Sequence, residues 1–220
     1  MKKTILLFSA IAIAVSTNAQ VPFSQSLEKG VAIDTAKYKV TYQLTYKNHP
    51  DDKNVMEDIR IVQIGRKTIK DYSDILFHFD SLRTEEERRD AETYSNASGN
   101  PWPIEITNYV YDKVSDIKYR LPIMTGTLHY SDSIPSLAWN YINSQSDTIL
   151  GYECQKATTT FAGRTYTAWF TTEIPLPYGP YKFGKLPGLI LRIQDTDKQF
   201  LWECIGFEHS SSPIIQYEYD

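Results

Sequence analysis

From Tyr38 to Tyr46 the chain alternates strictly: Tyr38, Val40, Tyr42, Leu44 and Tyr46 interleave with Lys39, Thr41, Gln43 and Thr45. A two-residue period rich in aromatic and β-branched side chains is that of a strand with one buried face. The polar cluster at 48–54, with Pro50 between His49 and Asp51, reads as a turn, and alternation resumes at 58–64. Similar runs recur at 75–79, 104–111, 117–121, 127–130, 137–142, 149–161, 164–171, 189–194 and 199–207. Their close spacing predicts a mainly β fold: a curved, mostly antiparallel sheet forming an open or partial barrel.

One stretch departs from this period. Thr84 followed by Glu87 has the form of a capping box, Glu85 and Glu86 suit a first turn, and Arg88 and Arg89 follow, so one short helix is predicted there. Residues 95–103, with Gly99, Asn100 and prolines on either side of Trp102, read as a loop. No repeat or linker composition divides the chain, so 20–220 is expected to form a single domain.

The N-terminus carries an address. Lys2 and Lys3 precede an apolar run from Ile5 to Val15, then polar residues and the small Ala19, the pattern of a signal peptide over 1–19 with cleavage after Ala19. As a helix the run would rise about 16 Å, roughly half a hydrocarbon core, too little for an anchor. The expected product is an exported, soluble periplasmic or extracellular protein without a transmembrane segment.

Composition narrows the function classes. With 41% hydrophobic residues the chain can bury a core, and a formal charge of −4 supplies no basic footprint for nucleic acid. Cys154 and Cys204 are the two cysteines. An oxidising compartment permits them to pair, and the alternative is two buried thiols acting as small hydrophobes. No Gly-x-Ser-x-Gly elbow or phosphate-cradling glycine loop occurs. His49, His78, His129 and His209 stand singly, without metal-ligand spacing, so neither a metal nor a cofactor is expected.

Aromatic residues make up 13% of the chain, more than one modest core needs, so some should be exposed. In the 164–171 run, alternation places Tyr166, Ala168 and Phe170 on one face and Thr167, Trp169 and Thr171 on the other. Trp169 among threonines is either the floor of a groove or the second side of a strand covered on both faces. Trp169, Tyr166 and Trp202 are the candidate ligand contacts, with Arg164 and Arg192 as anchors for an anionic group.

The densest punctuation lies at 174–191. Leu186-Pro187-Gly188-Leu189 has proline and glycine where a type II turn wants them, with positive φ at the glycine. This run, including Gly179, Pro180, Phe183 and the Leu186–Ile190 segment, is expected to organise packing rather than catalysis. Together with Gly151-Tyr152-Glu153-Cys154 and Ala168-Trp169-Phe170-Thr171, it resembles the GLPGLI family of bacterial exported proteins, named after that motif. The resemblance implies export and brings no established activity, cofactor or catalytic residue. Lys185 stands where the name motif begins with glycine, which suggests an extended backbone there.

The resulting expectation is a non-enzymatic binding or carrier module for an apolar or amphipathic ligand, or for a segment of another envelope protein. An assembly partner of an envelope complex is one alternative. A periplasmic hydrolase using carboxylates with His78 or His129 is another.

Overall fold

The computed structural model describes residues 24–93, 99–121 and 126–219. The predicted signal segment and its cleavage point therefore lie outside the described residues, as do 95–98 of the predicted loop. The described chain is mostly strand: β1 (Gly30–Thr35), β2 (Tyr38–Tyr46), β3 (Met56–Ile64), β4 (Thr68–Ser73), β5 (Ile104–Tyr109), β6 (Val114–Arg120), β7 (Thr127–Ser133), β8 (Asn140–Ile149), β9 (Tyr152–Phe161), β10 (Arg164–Thr171), β11 (Leu189–Asp195), β12 (Phe200–His209) and β13 (Pro213–Tyr217). One helix, α1 (Asp74–Arg88), joins β4 to β5.

Eleven strands form one antiparallel sheet in the order β7-β6-β5-β4-β3-β2-β12-β11-β10-β9-β8, and β1 pairs with β13 in a separate ribbon. The sheet is two sequential meanders joined where β2 pairs with β12, from Tyr38↔His209 to Tyr46↔Phe200. Its outer strands, β7 and β8, are not paired with each other, so the sheet stays open. Yet they are neighbours in the chain. Ten inter-strand steps would set them about 48 Å apart in a flat sheet, whereas the link from Ser133 to Asn140 reaches at most about 25 Å. The sheet must therefore fold over, with the β2–β7 half facing the β8–β12 half.

Alternation decides what lies between the halves. Val40, Tyr42, Leu44 and Tyr46 point inward and are buried, as are Tyr166, Ala168 and Phe170. Two-residue hairpins fix the register of the second half. Leu150-Gly151 and Ala162-Gly163 all have positive φ, the primed-turn geometry that matches strand twist. The expected single run at 149–161 is thus broken by the first of these turns.

Three further expectations are corrected. Residues 75–79, predicted as strand, are helical: Leu76, Asp80 and Thr84 form the buried face of α1 at a spacing of four, and Ser73 Oγ caps Leu76 N at 3.1 Å. The predicted capping residue Thr84 lies inside the helix, where its hydroxyl donates to Asp80 O (2.7 Å) and accepts from Leu27 N (2.8 Å). Strands β1, β4 and β13 carry no simple alternation; in β4 the polar Lys70 and Asp71 are both buried, one on each face.

The third concerns the 186–189 turn. Gly188 is not among the residues with positive φ, whereas Lys185 is, at 67°. Gly188 is required for a different reason: a Cβ there would lie 1.8 Å from Thr171 O. Glycine lets two backbones meet, and lysine takes the left-handed conformation.

Candidate functional site

The five sequence candidates are divided by the sheet. Tyr166 and Trp202 face inward and are 5% and 2% exposed. They belong to a filled aromatic interior contributed by both halves, by Trp102 and by the 174–188 loop. Tyr181 stacks on Trp202 at 6.1 Å, Phe183 meets Tyr166 at 4.7 Å, and Trp102 lies edge-on to Trp202 at 5.8 Å. Trp202 Nε1 is buried without a hydrogen-bond acceptor among the described residues. Arg164 covers the Phe200 ring at 5.5 Å and pairs with buried Asp195 at 3.4 Å. Trp169 and Arg192 lie on the outer face, directly opposite each other across β10 and β11.

The loop is held inside by a buried ionic knot that sequence reading did not single out. Arg60 Nε and Nη2 donate to Asp71 Oδ1 (2.9 and 2.6 Å), Nη1 to Asp58 Oδ2 (3.3 Å) and Trp102 O (3.2 Å), and Nη2 also to Ile104 O (2.7 Å). Ser73 Oγ donates to Asp58 Oδ1 at 2.7 Å, and Tyr181 N donates to Asp71 Oδ2 at 2.6 Å. Burial pushes the Arg60 pKa down, but Asp71 and Asp58 outweigh it and hold the guanidinium charged; burial raises the Asp58 carboxyl despite Arg60. The knot ties β3, β4, Trp102 and Tyr181 together. Its satisfied geometry makes it a scaffold with no open position for a substrate.

A second polar cluster lies on the outer face of β4–β6, beneath α1, β13 and the residues that follow β13. Lys70 Nζ donates to Ile215 O (2.6 Å), Lys118 Nζ to Tyr217 O, and Tyr219 OH to Glu105 Oε2 (3.0 Å), while Arg120 pairs with Asp80. Burial raises the Glu105 carboxyl, but the cations Lys70, Lys118 and Arg120 outweigh it and lower the pKa. The cavity here, lined by Tyr72, Leu76, Asp80, Glu105, Arg120 and Tyr219 among others, holds about 20 Å³, room for one water.

His78 sits on α1, and His129 pairs with Asp116 across β6 and β7 on an exposed face, where Asp116 also accepts from Gln216 (2.6 Å). That pair is not set in a cleft. Among the described residues no three of His, Cys, Asp and Glu group as metal ligands would. Cys154 and Cys204 are buried free thiols. Strands β10 and β11 stand between their own. Burial pushes both thiols up to about 11.

The accessible chemistry is therefore on surfaces. Along the seam between the sheet's outer strands, Leu128, Tyr130 and Tyr141 are exposed. The 174–188 loop reaches this seam, where Lys182 pairs with Asp132 of β7 at 3.0 Å and Trp139 Nε1 donates to Gly184 O at 2.9 Å. Among the described residues no helix is long and apolar enough to cross a membrane.

Comparison with known proteins places the fold. A family model described as N-glycanase peptide, N-terminal domain, matches residues 98–200, a little under half of the chain. It differs from the family that the 174–191 run resembles. Two solved structures of PNGF-II, in different space groups, superpose with a TM-score of 0.51 at 16% identity and cover 81% of this chain. The chain in turn spans 29% and 28% of those PNGF-II chains, under a third of their length. No curated protein matches the chain. The chain thus shares the β architecture of part of PNGF-II and resembles the N-terminal domain of an N-glycanase.

Proposed function

We propose that this protein is an exported, non-enzymatic binding module that takes its ligand on its surface rather than in its interior. The observation that carries this reading is the filling of the space between the sheet halves by Trp102, Tyr181, Phe183, Phe200 and Trp202. A carrier of an apolar molecule needs a hollow of several hundred Å³, and the core occupies that place. Of the two ligand kinds expected from sequence, a segment of another envelope protein is the better supported. The seam offers exposed apolar and aromatic side chains beside two strand edges that are unpaired among the described residues, and an extended polypeptide can join such edges. The leader over 1–19 and the GLPGLI-type run support export.

The test places a photo-crosslinking amino acid at Tyr130 or Tyr141 in cells. A discrete polypeptide adduct is expected from either position, with no adduct from exposed Val55 in the connection from β2 to β3. Saturable stabilisation of the purified protein by fatty acids or phospholipids would overturn the surface reading. The family match over 98–200 favours a second reading, service as the N-terminal domain of an N-glycanase; release of N-glycans by the purified chain alone would overturn the non-enzymatic assignment.

A further inference from the structure

We infer that the outer face of β8–β12 carries a binding site for a neutral carbohydrate, centred on Trp169. This site is separate from the seam and goes beyond the reading above. Its starting point is a row of residues held in register across six strands, β8 to β12 and β2: Ile142, Lys156, Trp169, Arg192, Glu203 and Gln43. Positions flanking the row on the same face are Thr158, Thr167, Gln194, Leu201 and Thr45, so the neighbours of Trp169 on that side are hydroxyls and an amide, with Leu201 beyond them. Trp169, Arg192 and Glu203 are all partly solvent-exposed. The corresponding face of β4–β6 is covered by α1, by β13 and by Tyr219, so the two halves of the sheet use their outer faces differently.

Charge chooses among ligands that an indole can stack on. Arg192 Nη1 donates to Asp147 Oδ2 at 2.7 Å and Nε to Glu203 Oε1 at 2.8 Å. Lys156 Nζ donates to Gln145 Oε1 at 2.7 Å and lies 5.6 Å from the centre of the Trp169 ring. Two cations thus face two carboxylates, and the site has no net charge to draw an ion. A nucleotide would bring phosphate to a chain of formal charge −4. A quaternary ammonium ligand is held by several aromatic walls, and this row supplies one.

A pyranose ring fits what remains. Its apolar C–H face gains dispersion contact on the indole. Its rim hydroxyls both donate and accept, which suits a guanidinium fixed between carboxylates that keep free lone pairs. Lys156 Nζ lies over the ring, so the sugar must displace this ammonium from the indole face, which frees it to bond a rim hydroxyl.

The experiment follows the four tryptophan indole N–H signals of the ¹⁵N-labelled protein during titration with maltohexaose, cellohexaose, mannohexaose and chitohexaose at up to about 5 mM, the affinity range of a single stacked ring. At least one neutral oligosaccharide is expected to shift the Trp169 signal and leave those of buried Trp102 and Trp202 in place. Trp169→Ala should weaken binding tenfold or more, Trp169→Tyr should retain it within about threefold, and Arg192→Gln should fall between. The inference is overturned if none of the four sugars moves the Trp169 signal, if Trp169→Ala binds as wild type does, or if heparin and polygalacturonate bind while neutral sugars do not. Crosslinking at Tyr130 and Tyr141 reads the seam separately, so failure here leaves the surface-module reading standing or falling on its own result.

Discussion

Lys185 and Gly188, three residues apart in the same loop, exchange the roles their identities suggest. Lys185 adopts a φ of 67°, and Gly188 is pressed against Thr171 O. For an L-residue the left-handed region costs about 1–2 kcal/mol, and glycine's entropic disadvantage of about 0.5–1 kcal/mol offsets part of any relief. Lys185→Gly is therefore expected to stabilise the protein by about 0.5–1 kcal/mol in urea unfolding, with an unchanged slope; a loss of stability would contradict the backbone assignment. Gly188→Ala should cost at least about 3 kcal/mol, because its Cβ has no space without moving β10 or β11.

Buried titratable groups add a prediction in pH. Burial lifts Cys154 and Cys204 to about 11 and Tyr181 to about 12. Each folded pKa lies above its unfolded value, so the unfolded chain releases these protons first. Stability is fully present below about pH 9 and is lost as pH rises through about 11 to 12. The thermal midpoint should fall steeply in that window, with tyrosinate absorbance rising together with unfolding. Ionisation of all 16 tyrosines near pH 10 in a still-folded protein would refute the burial argument.

How much of an element is legible depends on whether one or two of its faces are buried. Strands β2 and β10 were read from sequence to within their observed bounds because one side of each faces the core and the other faces polar surroundings. Strand β4 hides because its polar residues are buried through partners contributed from far along the chain: Arg60 for Asp71, and Ile215 for Lys70. The first half of α1, expected as strand, hides for the same reason, since Asp80 is one of its inward residues and is satisfied by Arg120. Local periodicity carries no trace of such pairings. Of the candidate site, alternation separates Trp169 from Tyr166, and the punctuation of 174–191 points to a packing role for that loop but not to its place between the sheet halves.

Asp71 tests the tie between elements. It joins the β4 strand to Arg60 and to the backbone of Tyr181. Asp71→Asn leaves the guanidinium with Asp58 as its remaining carboxylate, and a loss of about 3 kcal/mol is expected. The 174–188 loop should loosen first, with trypsin cutting after Lys182 and Lys185 before the rest of the chain. A loss under about 0.5 kcal/mol would show that the loop is held by its aromatic packing alone.

Taken as one body, the main sheet is two ladders of local hairpins that share one edge, the distant pairing of β2 with β12, while β1 and β13 pair separately. Loop-closure entropy opposes that pairing until both ladders exist. Its formation should therefore be the slow event in folding, and Leu44→Ala on β2 should slow refolding more than it speeds unfolding.

The brief connection from Ser133 to Asn140 has a corollary of its own. It is the one covalent bridge between the ladders, while their non-covalent union at β2–β12 and in the aromatic core does not pass through it. Severing the chain there should yield two halves that reassociate into a native-like heterodimer, and new termini at that point should suit a circular permutant.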